Sequence, residues 1–222
     1  MRVTAALLAA GRLKTTASGL EHIPACGPAL IVARHYHHLY DGLAMFAALR
    51  RPFHIVVALD WVKNRRIKWC MERINRAAHW PMILRPDALA PVGGHASKVF
   101  SPDDVRHFQR QAFREAVDLL IHNRILVIFP EGYPNIDPTY TPKTGLDEFL
   151  PLKQGFITVI RAAEKKLHQR IPIIPAGLHY RTGKCWVALL RFGTPIWRDQ
   201  FRRPRELLRH IEALIKELST ST

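Results

Sequence analysis

Three histidines and an aspartate crowd into the segment Arg34-His35-Tyr36-His37-His38-Leu39-Tyr40-Asp41. A histidine beside a carboxylate is the basic equipment of general-base catalysis, because the carboxylate fixes the ring tautomer and stabilises the imidazolium that forms. A further acid, Glu131, follows the run Ile125-Leu126-Val127-Ile128-Phe129-Pro130 and precedes Gly132. It is either a loop carboxylate of no consequence or a polar group aimed into a site. Arg85 closes the run from His79 to Leu84 and, read alone, is a solvated surface cation. Histidine clusters also bind zinc, but no second cluster with ligand spacing accompanies this one, so no metal is expected. Cys26, Cys70 and Cys185 lie far apart, which argues against a cysteine-built zinc site or a disulfide framework.

These groups need elements to position them, and the sequence supplies an alternation. Near-continuous apolar runs at Ala29–Ala33, His54–Leu59, Met82–Leu84, Ile125–Phe129, Ile171–Pro175 and Cys185–Phe192 predict strands buried on both faces. Helices are predicted between them. Ser101-Pro102-Asp103-Asp104 combines an N-cap, a proline at the first helical position and acids in the first turn. The helix it opens runs to Asn123. A second covers Gly155–His168, and a third, amphipathic helix spans 204–218 with Leu207, Leu208, Ile211, Leu214, Ile215 and Leu218 on one stripe. The expected fold class is α/β, with a mainly parallel sheet covered by helices in a single domain over 1–222. In such sheets, sites form in the loops at the carboxyl ends of strands. The histidine cluster, Arg85 and Glu131 all follow predicted strands.

Charge narrows the partners. The chain has 33 Lys and Arg against 18 Asp and Glu, a formal net charge of +15. Such a protein is drawn to polyanions, either nucleic acid or an anionic membrane surface. The basic residues are dispersed and no nucleic-acid recognition motif appears, so no nucleic acid is expected despite five tryptophans. No apolar run approaches the roughly 20 residues that a membrane-spanning helix requires. Met1-Arg2 followed by Val3–Ala10 looks like a weak signal-peptide start, but Thr4 interrupts it. We read 1–18 as an interfacial N-terminal helix and expect a cytoplasmic protein, peripheral on the cytoplasmic face of a membrane.

The four site segments resemble, in order and rough spacing, the four motifs of the glycerolipid acyltransferase family, whose type member is 1-acylglycerol-3-phosphate acyltransferase. The family's Asn-His-x-x-x-x-Asp block is matched loosely by Arg34 to Asp41, and its strand-ending arginine by Arg85. Its Phe-Pro-Glu-Gly-Thr-Arg-Ser block is matched by Phe129-Pro130-Glu131-Gly132, and its Val-Pro-Ile-Val-Pro strand by Ile171 to Pro175. The resemblance extends from about Gly19 to Ile196. It implies an O-acyltransferase of phospholipid biosynthesis, moving a fatty acyl group from acyl-CoA or acyl-carrier protein to the hydroxyl of a lysophospholipid, with no cofactor beyond that co-substrate. Histidine would be the general base and Asp41 its orienting group, with Arg85, Glu131 and Gly132 on the acceptor side. Oxyanion donors would be backbone N–H groups near the helix start or in the Pro130-Glu131-Gly132 turn. The alternatives are an inactive lipid-binding member of the same fold and, further off, a basic nucleic-acid-binding module.

Two departures from the family pattern matter. The family places four residues between histidine and aspartate, whereas His35 and Asp41 enclose five and His37 and Asp41 enclose three. Strand register favours His35 as the base. Helical contact favours His37, because residues four apart share a face; His38 is a third choice. Tyr133-Pro134 also stands where the family has Thr-Arg, which removes one cation suited to an acceptor phosphate. Lys143, Arg85 or the segment 85–100 could compensate.

Overall fold

The computed structural model describes residues 11–86 and 99–220. Among the described residues, eight strands and five α-helices follow in chain order: β1 (Leu13–Ser18), β2 (Ala29–Ala33), α1 (Tyr40–Ala48), β3 (Phe53–Ile55), β4 (Val57–Ala58), α2 (Arg65–Ala77), β5 (Met82–Ile83), α3 (Pro102–Ile121), β6 (Ile125–Ile128), α4 (Gly155–Leu167), β7 (Ile173–Arg181), β8 (Trp186–Phe192) and α5 (Pro204–Ser219). The main sheet has the order β1-β8-β7-β2-β6-β3. All its pairings are parallel except the β7–β8 pair. Strands β4 and β5 form a separate two-stranded sheet.

Strand β2 is apolar throughout because it is covered on both sides, and all five of its residues are buried. The period of two along a strand divides them. Ala29, Ile31 and Ala33 face a core shared with Leu43, Ala44 and Met45 of α1. Leu30 and Val32 face the opposite core, built from Leu120 of α3, Ile160 of α4 and Ile211 and Ile215 of α5. Each fully buried Leu or Ile side chain contributes about 1.5–3 kcal/mol, so the two layers fix β2 and the loop that leaves it. Helix α5 comes so close to β7 that a Cβ on Gly177 would lie 2.3 Å from the Leu218 carbonyl carbon, a contact that only glycine permits.

Several expectations need correction. Residues 13–18 form β1, parallel to β8, and not part of an opening helix; residues 1–10 of that expected helix lie outside the described residues. The strand expected over His54–Leu59 divides at Val56. Its N–H donates to Val127, while the Val57 N–H donates to Pro81, so the chain passes from one sheet to the other. The strand expected to end at Pro175 continues to Arg181, with the Pro175 carbonyl accepting the Gly193 N–H. The capping box of Ser101 and Asp104 opens α3 as the sequence indicates.

Candidate active site

Strands β2 and β6 are parallel neighbours with Val32 paired to Ile128. Three residues beyond each of these come His35 and Glu131, and the register carries through. The His35 N–H donates to Glu131 Oε1 at 2.9 Å. Glu131 is buried, and its Oε2 accepts the Leu150 N–H at 3.0 Å and meets Lys143 Nζ at 2.6 Å. Lys143 Nζ donates in turn to the His35 carbonyl and to Asn135 Oδ1, both at 3.0 Å. Burial pushes the Lys143 ammonium below its ordinary pKa, and Glu131 opposes that shift. Both backbone polar groups of His35 are therefore held by one buried ion pair.

The imidazole of His35 is held as well. Its Nδ1 lies 2.8 Å from Asp41 Oδ2, and its ring stacks on Phe129 with centroids 4.6 Å apart. Among the described residues Nε2 has no hydrogen-bond partner, and the side chain keeps 18% of its surface exposed. Asp41, in the first turn of α1, is 1% exposed. An acid there also suits the positive end of the helix dipole. Its Oδ2 also accepts the Tyr36 N–H at 2.7 Å, and its Oδ1 accepts the His37 N–H at 3.1 Å and the Tyr180 hydroxyl at 2.8 Å. Burial, followed by the charge of Asp41, raises the Tyr180 hydroxyl well above its usual pKa, which keeps it a donor.

His37 has other work. Its Nδ1 accepts the Leu39 and Tyr40 N–H groups at 3.2 and 3.3 Å, supplying partners for donors that the start of α1 leaves unpaired. Burial foremost, then the neighbouring His38, pushes its pKa down to about 4. A ring held neutral with Nδ1 as an acceptor caps a helix, and among the described residues no hydrogen bond joins it to the Asp41 carboxylate. His38 is exposed, with Nδ1 3.3 Å from the Ile136 carbonyl.

Arg85 reaches the same region from the end of β5. Its Nε lies 3.0 Å from both Asp60 oxygens, and its Nη2 makes a further, close contact with Asp60 Oδ2. Its Nη1 donates to the Gly132 carbonyl at 2.6 Å, and its guanidinium lies 3.8 Å from the Tyr133 ring centroid. Gly132 has φ +81°, a left-handed turn that favours glycine. Among the described residues no three His, Cys, Asp or Glu side chains gather as metal ligands.

The Acyltransferase family profile matches residues 14–179, a span that holds His35, Asp41, Arg85 and Glu131. The chain belongs to the acyltransferase family. A solved structure similar to this family member is the 1-acyl-sn-glycerophosphate (LPA) acyltransferase PlsC from Thermotoga maritima. The two share 16% sequence identity and a TM-score of 0.55, over 92% of this chain and 70% of that one, which establishes a common fold. No curated protein matches the chain in sequence.

Within this acyltransferase-family chain, several of the expected site residues are paired inside the protein. Both oxygens of Glu131 are turned inward, to the backbone of His35 and Leu150 and to Lys143. Lys143 is buried and spends its ammonium on Glu131, the His35 carbonyl and Asn135. Arg85 carries no uncompensated charge, since Asp60 neutralises it. The N–H of Gly132 is committed to the Phe129 carbonyl and those of Leu39 and Tyr40 to His37, so none of these is a ready oxyanion donor. Tyr180 and Asp60 carry no signal in the sequence. Tyr180 lies 139 residues from its partner Asp41, and only the pairing of β7 with β2 brings the two strands together. Arg34 is 1% exposed and sits under Phe149 with its Cζ 4.1 Å from the ring centroid.

Proposed function

We propose that this protein transfers a fatty acyl group from a thioester, acyl-CoA or acyl-carrier protein, to the hydroxyl of a lysophospholipid at a membrane surface. His35 is the general base in this reading. Nε2 takes the proton of the acceptor hydroxyl as its oxygen attacks the thioester carbonyl. Collapse of the tetrahedral intermediate expels the thiolate, which takes up the proton from His35. Asp41 holds the Nδ1–H tautomer and stabilises the imidazolium between these steps. General-base assistance of this kind is worth roughly 10²–10⁴-fold in rate.

The observation that carries this reading is the His35–Asp41 hydrogen bond of 2.8 Å at the carboxyl edge of β2, with Nε2 left unpartnered among the described residues. No other histidine of the cluster combines a carboxylate on one nitrogen with an open second one. Arg85 and Gly132 form the acceptor side. Asp60 neutralises Arg85 and Tyr133-Pro134 supplies no cation, but Lys153 Nζ lies 5.7 Å from the Tyr133 ring centroid beside Gly132 and can meet an anionic acceptor headgroup.

Among the described residues no helix is long and apolar enough to cross a membrane. The net charge of +15 fits attachment to anionic lipid, where each cation near the surface contributes about 1 kcal/mol. The test is thiol release from acyl-CoA and from acyl-carrier protein in the presence of lysophosphatidate or other lysophospholipids. Acceptor-dependent release is expected. Its absence across all acceptors and both carriers would favour a protein that only binds lipid.

A further inference from the structure

Helix α2 is at odds with the rest of the fold. Of its thirteen residues, Arg65-Arg66-Ile67-Lys68-Trp69-Cys70-Met71-Glu72-Arg73-Ile74-Asn75-Arg76-Ala77, only Asn75 is buried. Ile67, Trp69 and Ile74 are 46%, 64% and 51% exposed. A helix normally covers its large apolar side chains against a core, and this one leaves three of them in water. Its small inward face rests on Asn75, whose amide donates to the Met71 carbonyl at 2.7 Å, and on Lys68, whose Nζ lies 4.3 Å from the Phe100 ring centroid.

The charge on α2 is one-sided. It carries Arg65, Arg66, Lys68, Arg73 and Arg76 against Glu72 alone. Glu72 is taken up between Lys68 at 3.9 Å and Arg76 at 3.3 Å. Among the described residues, no carboxylate lies within ion-pair distance of Arg65, Arg66 or Arg73. Arg73 instead lies 5.5 Å from the Trp69 ring centroid, so cation and indole share one surface. Arginine and lysine flanking exposed tryptophan and isoleucine on a helix of low overall hydrophobicity is the pattern of an element that lies in a bilayer interface. The charge asymmetry matches an anionic lipid surface, whose headgroups complement the arginines while the shallow acyl region receives Trp69, Ile67 and Ile74.

The location suits the reaction. Asn64 caps α2 by accepting the Arg66 N–H at 2.8 Å. Just ahead of it in the chain come Trp61, 39% exposed, and Asp60, the partner of Arg85. Helix α2 therefore begins five residues after Asp60, the partner of Arg85.

We infer that the outer face of α2, with Arg66, Arg73, Trp69, Ile67 and Ile74, docks the protein on anionic bilayers. This deepens the proposed function, since it names the surface by which a lipid-acylating protein reaches its substrate. Binding of the full chain is measured by co-sedimentation with vesicles of phosphatidylcholine alone and of phosphatidylcholine mixed with phosphatidylglycerol. Arg66→Gln/Arg73→Gln should weaken binding to the anionic vesicles by about 25-fold, at about fivefold per cation. Trp69→Ser/Ile74→Ser should weaken it by about tenfold even where salt has screened the charges. Both pairs are exposed, so unchanged thermal unfolding is expected and is checked alongside.

Wild-type protein that ignores anionic vesicles, or variants that bind them like the wild type, would overturn the assignment. So would an arginine variant that loses affinity for duplex DNA while its vesicle binding is unchanged. Turnover of a monomeric short-chain lysophospholipid is read separately and should be the same in wild type and variants. If the wild type fails to turn over any acceptor, the acyl-transfer reading fails while the vesicle result still decides the docking face.

Discussion

Lys143 Nζ lies 2.6 Å from Glu131 Oε2 with neither side chain exposed, and the two residues grip His35 from both sides. Glu131 takes the His35 N–H and Lys143 donates to the His35 carbonyl. An ion pair this deep gains little stability overall, because desolvation offsets most of the attraction. Its effect here is geometric. It fixes the backbone of His35 so that the ring can be set against Asp41.

Removing one partner leaves the other charge stranded. Lys143→Met should lower unfolding stability by about 3–5 kcal/mol, measured by urea titration. Glu131→Gln/Lys143→Met should cost less than the two single changes added together. Additive losses would mean that the pair is not coupled.

The carboxylate of Asp41 depends on its donors. Tyr180→Phe removes a hydroxyl hydrogen bond to a buried charge, worth about 1.5–3 kcal/mol, and should lower both stability and turnover. Asp41→Asn keeps the volume but sets an amide N–H against groups that are themselves donors. Its turnover should fall by about two to four orders of magnitude, as for loss of the base itself. Near-normal turnover in Asp41→Asn would remove the carboxylate from the mechanism.

The fold is largely legible in the sequence because β2 and β6 are apolar on both faces. Continuous runs such as Ala29–Ala33 and Ile125–Ile128 are too short for a buried helix and too apolar for a half-exposed strand. The pairing of His35 with Asp41 is legible from strand register, although five intervening residues depart from the family spacing. The inward turn of Glu131 is not legible, since a loop carboxylate looks the same whether it faces solvent or Lys143. Helix α2 is not among the elements anticipated from the sequence, although Asn64 is a capping residue and Ile67, Met71 and Ile74 have the spacing of one helical face. Asp60 is not legible, because only the β4–β5 pairing brings it to Arg85.

Stability should depend on pH through His37. Burial lowers its folded pKa from 6.5 to about 4, so between those values the unfolded chain binds the extra proton. Stability is therefore fully present above pH 6.5 and declines as pH falls towards 4. His37→Asn keeps a side-chain acceptor for the N–H groups of Leu39 and Tyr40 but does not titrate. The melting temperature of the wild type should drop more steeply than that of His37→Asn over this window. Parallel curves would contradict the buried, neutral ring.

Arg85 offers a test of acceptor choice. Arg85→Lys loses the planar fork that Asp60 and Gly132 share, and should lower turnover of lysophosphatidate and of lysophosphatidylcholine together. An unchanged ratio between the two is expected if Asp60 already neutralises the guanidinium. A selective loss with lysophosphatidate would show that Arg85 reads the phosphate charge.

The role of His35 is decided by comparing turnover in His35→Ala and His37→Asn under saturating acceptor and thioester, with folding verified by thermal unfolding. Loss of the general base predicts that His35→Ala falls by about two to four orders of magnitude. His37→Asn, which preserves the cap of α1, should stay within about tenfold of the wild type. A nearly inactive His37→Asn beside a mildly affected His35→Ala would contradict the assignment of His35 as the base.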